Sequence, residues 1–321
     1  MEIRKRRYLE FEKPLADLDS QIAQLKSLKL QSGVDVSGEI RALETKSQEL
    51  LSSLFQHLEP YQVVQLSRHP DRPTFLDYIE AIADDFIVLS GDRSFREDPA
   101  LVGGIAEIAG ESCMVLGHQK GKSTADNQIR NFGMPRPEGY RKALRLMEMA
   151  ERYQLPLITF IDTPGAYPGI EAEERGQAES IAECILRMTD LNVPILSVVL
   201  GEGGSGGALA IAVADRLLML EFTTYSVISP EGCAAITWKD AAFASKAAEN
   251  LKLTAPEILK LGVADEIIGE PLGGVHRDPL EGARRLKEAL VKHRQQLVGI
   301  DPKKLLQERY DRYRRLGAFS A

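Results

Sequence analysis

The chain has 321 residues, 44% of them apolar and 27% charged, a balance that supports a globular core and excludes intrinsic disorder. Its formal charge of −7 makes it a poor generic nucleic-acid binder. Three dispersed cysteines (Cys113, Cys184 and Cys233) exclude a disulfide framework and a zinc knuckle. No apolar run approaches the ~20 residues of a membrane span. The basic start (Glu2, Arg4, Lys5, Arg6, Arg7) lacks an apolar signal core, so a cytoplasmic location is expected.

Residues 1–60 form a region of their own. Leu15, Leu18, Ile22, Leu25 and Leu28 recur at three- and four-residue steps, which predicts a helix with one apolar face. Ser32-Gly33 interrupts it. Ser37 is the expected N-cap of a second helix carrying Ile40, Leu43, Leu50, Leu54 and Leu58, with Pro60 as its stop. Such a pair cannot bury two leucine stripes alone and needs its own main domain or a partner subunit to cover them.

The main domain is expected over residues 61–295. Residues 101–108 and 113–116 read as a β-hairpin turning at Gly110-Glu111, followed by a polar Gly/Pro loop and a helix over about 138–154. Continuous apolar runs at 155–161 and 193–200 read as buried strands, with a helix over about 171–191 between them. A helix starting at Ala208 and strands at 217–222 and 225–228 follow. Apolar strands alternating with helices indicate βαβ crossovers and a sheet covered on both faces, an α/β fold. The charged segment 278–318 reads as helical, and residues 296–321 form a C-terminal helical tail.

The segment Gly201-Glu202-Gly203-Gly204-Ser205-Gly206-Gly207 places five glycines between a buried strand and a helix. Glycine there permits positive φ and lets a ligand approach the backbone, and the first turn of a helix has unpaired N–H groups. Donors aimed at charge that develops in a transition state each contribute about 3–4 kcal/mol. The same segment matches Gly-x-Ser-x-Gly, with Ser205 as a hydrolase nucleophile and His276 or His293 downstream as its base. A second loop, Asp162-Thr163-Pro164-Gly165-Ala166-Tyr167-Pro168-Gly169, follows the neighbouring buried strand. Loops at the carboxyl ends of adjacent parallel strands converge on one crevice.

Gly117-His-Gln-Lys-Gly-Lys-Ser123 has only three residues between its first two glycines, one short of a phosphate-binding loop. Lys120, Lys122 and Arg130, with Arg136 and Arg141, remain candidates to face an anionic substrate. His57, His69 and His118 share no ligand spacing with a cysteine or carboxylate pair, so no metal site is expected.

Taken with Asn131-Phe-Gly-Met-Pro-Arg-Pro-Glu-Gly-Tyr140, Glu173-Glu-Arg-Gly-Gln177, Tyr225-Ser-Val-Ile-Ser-Pro-Glu-Gly-Cys233 and Pro271-Leu-Gly-Gly274, these motifs carry a resemblance over essentially the whole chain. The sequence resembles the α subunits of bacterial-type acetyl-CoA carboxylase carboxyltransferase. The resemblance implies a crotonase-like fold of superhelical β-β-α units and an α2β2 heterotetramer with a β subunit that carries the zinc. It also implies work with a biotin carboxyl carrier protein and biotin carboxylase, and no cofactor bound covalently to this chain. The reaction implied is carboxyl transfer from carboxybiotin to acetyl-CoA, giving malonyl-CoA for fatty-acid synthesis. By the same resemblance, the N–H groups of Gly206 and Gly207 hold the biotin oxyanion, which then acts as the base. Gly203, Gly204 and Ser205 shape the approach, and Thr163, Pro164, Gly165, Ala166, Tyr167, Pro168 and Gly169 wall the biotin pocket. Lys122 stands where arginine is usual in the family. A hydratase or isomerase on the same fold would instead need a carboxylate by the acyl pocket, for which Glu202 is the nearest candidate.

Overall fold

The structure, a computed structural model, describes residues 7–32 and 34–317. Glu2, Arg4, Lys5 and Arg6 of the basic start, Gly33, and the last four residues of the tail lie outside the described residues.

Two helices open the chain, α1 (Lys13–Ser32) and α2 (Ser37–Gln56). Their apolar stripes are buried over most of their length, with Leu18, Ile22, Val36 and Ile40 covered within the pair's own region. Leu15, Leu51 and Phe55 pack with Leu66 and Phe222 of the main domain, whereas Leu28 is 45% and Leu30 88% exposed. Ser37 is not the cap. Val36 holds that position, and the Asp35 carboxylate accepts from Ser37 N–H at 3.1 Å. Nor does Pro60 stop α2, which ends at Gln56. Pro60 opens α3 (Pro60–Ser67), at a position where its missing N–H costs no helical bond.

Next come α4 (Phe75–Ile82), β1 (Asp85–Val88) and the hairpin β2 (Leu101–Ile108) and β3 (Glu111–His118). The hairpin turns at Ala109-Gly110, one residue earlier than expected, and both residues have positive φ (54° and 73°), as a tight two-residue hairpin requires. Then follow α5 (Thr124–Ile129), α6 (Pro137–Arg152), β4 (Leu157–Thr163), α7 (Ile170–Glu173) and α8 (Gln177–Asp190). The single helix expected over 171–191 is broken because Gly176 adopts a left-handed conformation. The chain continues through β5 (Ile195–Gly204), α9 (Ser205–Leu209), β6 (Arg216–Leu220) and β7 (Thr224–Ser226). It closes with α10 (Pro230–Trp238), α11 (Ala244–Leu251), α12 (Ala255–Lys260), β8 (Glu266–Ile268), α13 (Pro279–Leu297) and α14 (Pro302–Arg314).

The sheet order is β1-β2-β3-β4-β5-β6-β8, with β7 alongside the far end of β5. The first three strands are antiparallel, and every pairing from β3 onward is parallel. Alternate residues serve opposite layers, as strand geometry demands. Phe160, Val198 and Leu218 pack with Phe75 and Leu286 from α4 and α13. Ile161, Val199 and Met219 pack with Leu146 and Met188 from α6 and α8. Helices therefore cover both faces of the sheet, as the uninterrupted apolar strands predict. The tail is tied down by Arg309, which is almost fully buried. Its guanidinium makes two 2.8 Å bonds to Asp215 and donates to the carbonyls of Met188, Leu191 and Val193.

Candidate active site

β4 and β5 end side by side, with Thr163 opposite Gly203 after an irregularity in the ladder between Ile161 and Thr163. Strand β5 runs to Gly204, four residues past its expected end, because Glu202–Gly204 pair with Thr224–Ser226 of β7. The chain must then pass from strand to helix in one step. Ser205 takes that step in the left-handed region, at φ 56°.

The glycines of this turn serve two different needs. A Cβ at Gly204 would overlap the Pro164 carbonyl, and one at Gly207 would overlap Ala166 N and lie 3.0 Å from Gly165 Cα. These two are glycines because the 163–169 loop lies directly on them. A Cβ at Gly206 would meet only Ile181 Cγ2, at an ordinary 3.7 Å. Gly206 is the open position. Among the described residues nothing accepts from the N–H of Gly206 or Gly207. Their carbonyls are engaged, Gly206 by Ala210 N–H at 2.9 Å and Gly207 by the Tyr140 hydroxyl at 3.4 Å. The turn is thus held through its acceptors while its donors stay free.

The facing loop is fixed by its own bonds. Thr163 Oγ1 donates to Gly165 O at 2.7 Å and accepts from Gly165 N at 3.1 Å. Tyr167 N donates to Pro135 O, and Gln177 Nε2 bridges the carbonyls of Pro135 and Tyr167 at 2.9 and 3.0 Å. The Arg136 guanidinium lies 4.4 Å over the Tyr167 ring. Thr163 and Gly165 are buried, Ala166, Tyr167 and Gly169 half-buried, and Pro164 and Pro168 exposed.

Beside the turn, a cavity of about 260 Å³ is lined by Arg68, His69, Lys120, Asp162, Pro164 and Glu202, among others. Lys120 Nζ lies 2.8 Å from both Asp162 Oδ1 and Glu202 Oε1, and Arg68 Nε lies 2.7 Å from Glu202 Oε2. Burial would raise the Glu202 carboxyl, but Lys120 and Arg68 outweigh it and hold the group below its ordinary range. The other two candidate cations lie elsewhere. Lys122 pairs with Asp77. Arg130 pairs with Asp126 at 2.9 Å and donates to Pro99 O.

Neither rival chemistry assembles. Among the described residues neither expected base serves Ser205, since His276 stacks on His69 at 4.0 Å and His293 bonds Glu266 at 2.9 Å. Glu202, the hydratase candidate, is held ionised between two cations and is unsuited to proton transfer at neutral pH.

Glu12, His69 and His276 do converge, with one ligand atom from each within 4.8 Å of the others. Sequence spacing could not show this, because the three lie in separate parts of the chain. The local chemistry opposes a metal there. His69 Nδ1 accepts from Asp71 N–H, which puts the ring proton on Nε2, and the Arg277 guanidinium stands 3.8 Å from Glu12. The cluster instead ties the start of the chain to the main domain.

Mixed sheet, helices on both faces and a glycine turn at the strand ends make this a chain of the crotonase-type fold. Transcarboxylase 12S superposes with a TM-score of 0.54 at 22% identity, over 67% of this chain and 40% of that longer one. A Pseudomonas malonate decarboxylase hetero-tetramer chain gives 0.56 at 17% identity, over 67% and 89%. The family described as acetyl co-enzyme A carboxylase carboxyltransferase-like matches residues 8–317. The acetyl-coenzyme A carboxylase carboxyl transferase subunit alpha of Thermus thermophilus is 56% identical over 97% of this chain and 99% of its own. That of Xanthomonas axonopodis pv. citri is 55% identical over 97% and 98%. The chain belongs to this family.

Proposed function

We propose that this chain is the α subunit of the carboxyltransferase component of acetyl-CoA carboxylase, acting within a multi-subunit enzyme. It transfers the carboxyl group of carboxybiotin, presented by a biotin carboxyl carrier protein, to acetyl-CoA, giving malonyl-CoA. The observation that carries the mechanism is the pair of unengaged N–H groups at Gly206 and Gly207 on a turn anchored by its carbonyls.

Biotin, once it has given up its carboxyl group, supplies the base that deprotonates acetyl-CoA. This chain's residues then have three tasks. Gly206 and Gly207 direct two main-chain donors at the oxygen that becomes negative, and their preorganisation avoids a reorganisation cost during reaction. Gly203, Gly204 and Ser205 hold those donors in place. Thr163, Pro164, Gly165, Ala166, Tyr167, Pro168 and Gly169 form the rigid wall that orients the biotin ring.

The second oxyanion site, for the thioester, and the zinc are assigned to a β subunit in an α2β2 assembly, with biotin carboxylase supplying the carboxylated carrier. The far end of the α1–α2 pair suits a subunit interface, because Leu28 is 45% and Leu30 88% exposed among the described residues. The test is malonyl-CoA formation from acetyl-CoA and carboxybiotin by the α and β subunits, separately and mixed. Activity in the mixture alone is expected. Full turnover by α alone would contradict the shared site.

A further inference from the structure

We propose that Lys120, Asp162 and Glu202 form a positioning device for the oxyanion turn, and that Lys120 is not a contact for the incoming anion. The inference rests on the carboxyltransferase reading of the site.

The three residues come from the carboxyl ends of three adjacent strands. Lys120 follows β3, Asp162 lies at the irregularity in β4, and Glu202 lies in the last turn-ward residues of β5. Lys120 Nζ spans Asp162 and Glu202 at 2.8 Å each, and Asp162 Oδ1 also accepts from Glu202 N–H at 3.1 Å. That last bond fixes main chain immediately before the glycine turn. A Cβ at Gly201 would overlap Asp162 Oδ1 and lie 2.8 Å from Ser67 O, so the carboxylate occupies the space a side chain would need. The Lys120 stem is gripped as well, since a Cβ at Gly133 would lie 2.8 Å from Lys120 Cγ.

Charge argues the same way. Arg68 and Lys120 face Asp162, Glu202 and Glu231, and Arg68 Nη1 lies 3.0 Å from Glu231 Oε1. With Arg72 bound to Glu270 beside Asp162, three cations stand against four carboxylates, and the excess negative charge repels an arriving carboxylate. With two of its three N–H donors committed to buried carboxylates, Lys120 has at most one donor for an incoming anion, and turning further toward it would strip Asp162 of its ion-pair partner. The other titratable groups around the cluster are Arg72, its partner Glu270 and Tyr78 next to Asp162, His118 next to Lys120, Tyr61 bonded to Glu231, and His69 in the same cavity.

The test uses the assembled enzyme carrying Lys120→Met, Lys120→Arg or Glu202→Gln, with kcat, donor KM and the pH–rate profile measured for each. Lys120→Met should lower kcat about a hundredfold, the effect of a misplacement near 1 Å, with donor KM within about twofold. It should also move the acid limb to higher pH, because Glu202 loses one of the two cations that hold its carboxyl below the ordinary range. Lys120→Arg should recover most of kcat. Glu202→Gln, which removes a charge without emptying space, should lower kcat without raising KM, and it serves if Lys120→Met does not fold. A donor KM raised tenfold or more at preserved kcat would make Lys120 an anion contact and overturn the proposal, as would unchanged kcat in both Lys120→Met and Glu202→Gln. Wild-type enzyme that forms no malonyl-CoA would instead overturn the underlying reading.

Discussion

At the turn between β5 and α9, main chain packs against main chain, and what remains unpaired is polar: the two N–H groups of Gly206 and Gly207. Along α1 and α2, side chain packs against side chain, and what remains unpaired is apolar: the far end carrying Leu28 and Leu30. Each region is partly anchored by its own domain, through the Gly207 carbonyl in one and Leu15 and Phe55 in the other. The unpaired part in each marks where something from outside the chain belongs, a developing oxyanion in the first and another subunit in the second.

The sharpest way to break the comparison is to add a side chain at the turn. Gly207→Val should abolish transfer, a loss of about a thousandfold or more, and displace the 165–166 segment it would strike, as a lowered melting temperature would show. Gly206→Ala has room and should melt like the wild type while losing transfer about a hundredfold. Equal loss of stability in both would erase the distinction between a packing glycine and an open one.

The helical pair offers the matching contrast. Leu15→Ala empties a fully buried site and should cost about 3 kcal/mol in denaturant unfolding. Leu30→Glu should leave the subunit's stability within about 0.5 kcal/mol and weaken assembly with the β subunit, read by native mass spectrometry. Undiminished assembly would remove the interface from the account. Ser205→Ala should lower transfer less than tenfold, whereas loss of a triad nucleophile costs about a millionfold.

The smallest effect concerns the His69 cluster. Burial, reinforced by His276, pushes the His69 pKa down to about 4. A histidine depressed in the folded state stabilises it above the unfolded pKa, about 6.5. That contribution is lost as pH falls from there toward 4. The melting temperature should therefore decline across this window, and His69→Gln should flatten the decline.

Much of the sheet was legible because its central strands are buried on both faces and read as unbroken apolar runs, as at Leu157–Thr163. The short strands β1 and β8 and the helices α3, α4 and α10–α12 were not, because their patterns are too brief to show a period. The glycine turn was visible in composition, but the separate reasons for Gly206 and Gly207 were not. The Pro164–Ala166 backbone that distinguishes them lies about forty residues earlier. The pairing of Lys120 with Asp162 and Glu202 was hidden for the same reason, since it forms only where three strand ends meet.

The central claim is that the Gly207 N–H, without an acceptor among the described residues, acts only on the reacting oxygen. Replacing the amide that precedes Gly207 by an ester removes that donor and weakens Gly206 O as the acceptor of Ala210 N–H. Because no internal acceptor loses a partner, stability should fall only by the weakening of that one bond, about 1 kcal/mol, and assembly should not change, while kcat for malonyl-CoA formation should fall about a hundred- to a thousandfold. Undiminished turnover by the ester-containing enzyme would contradict the account.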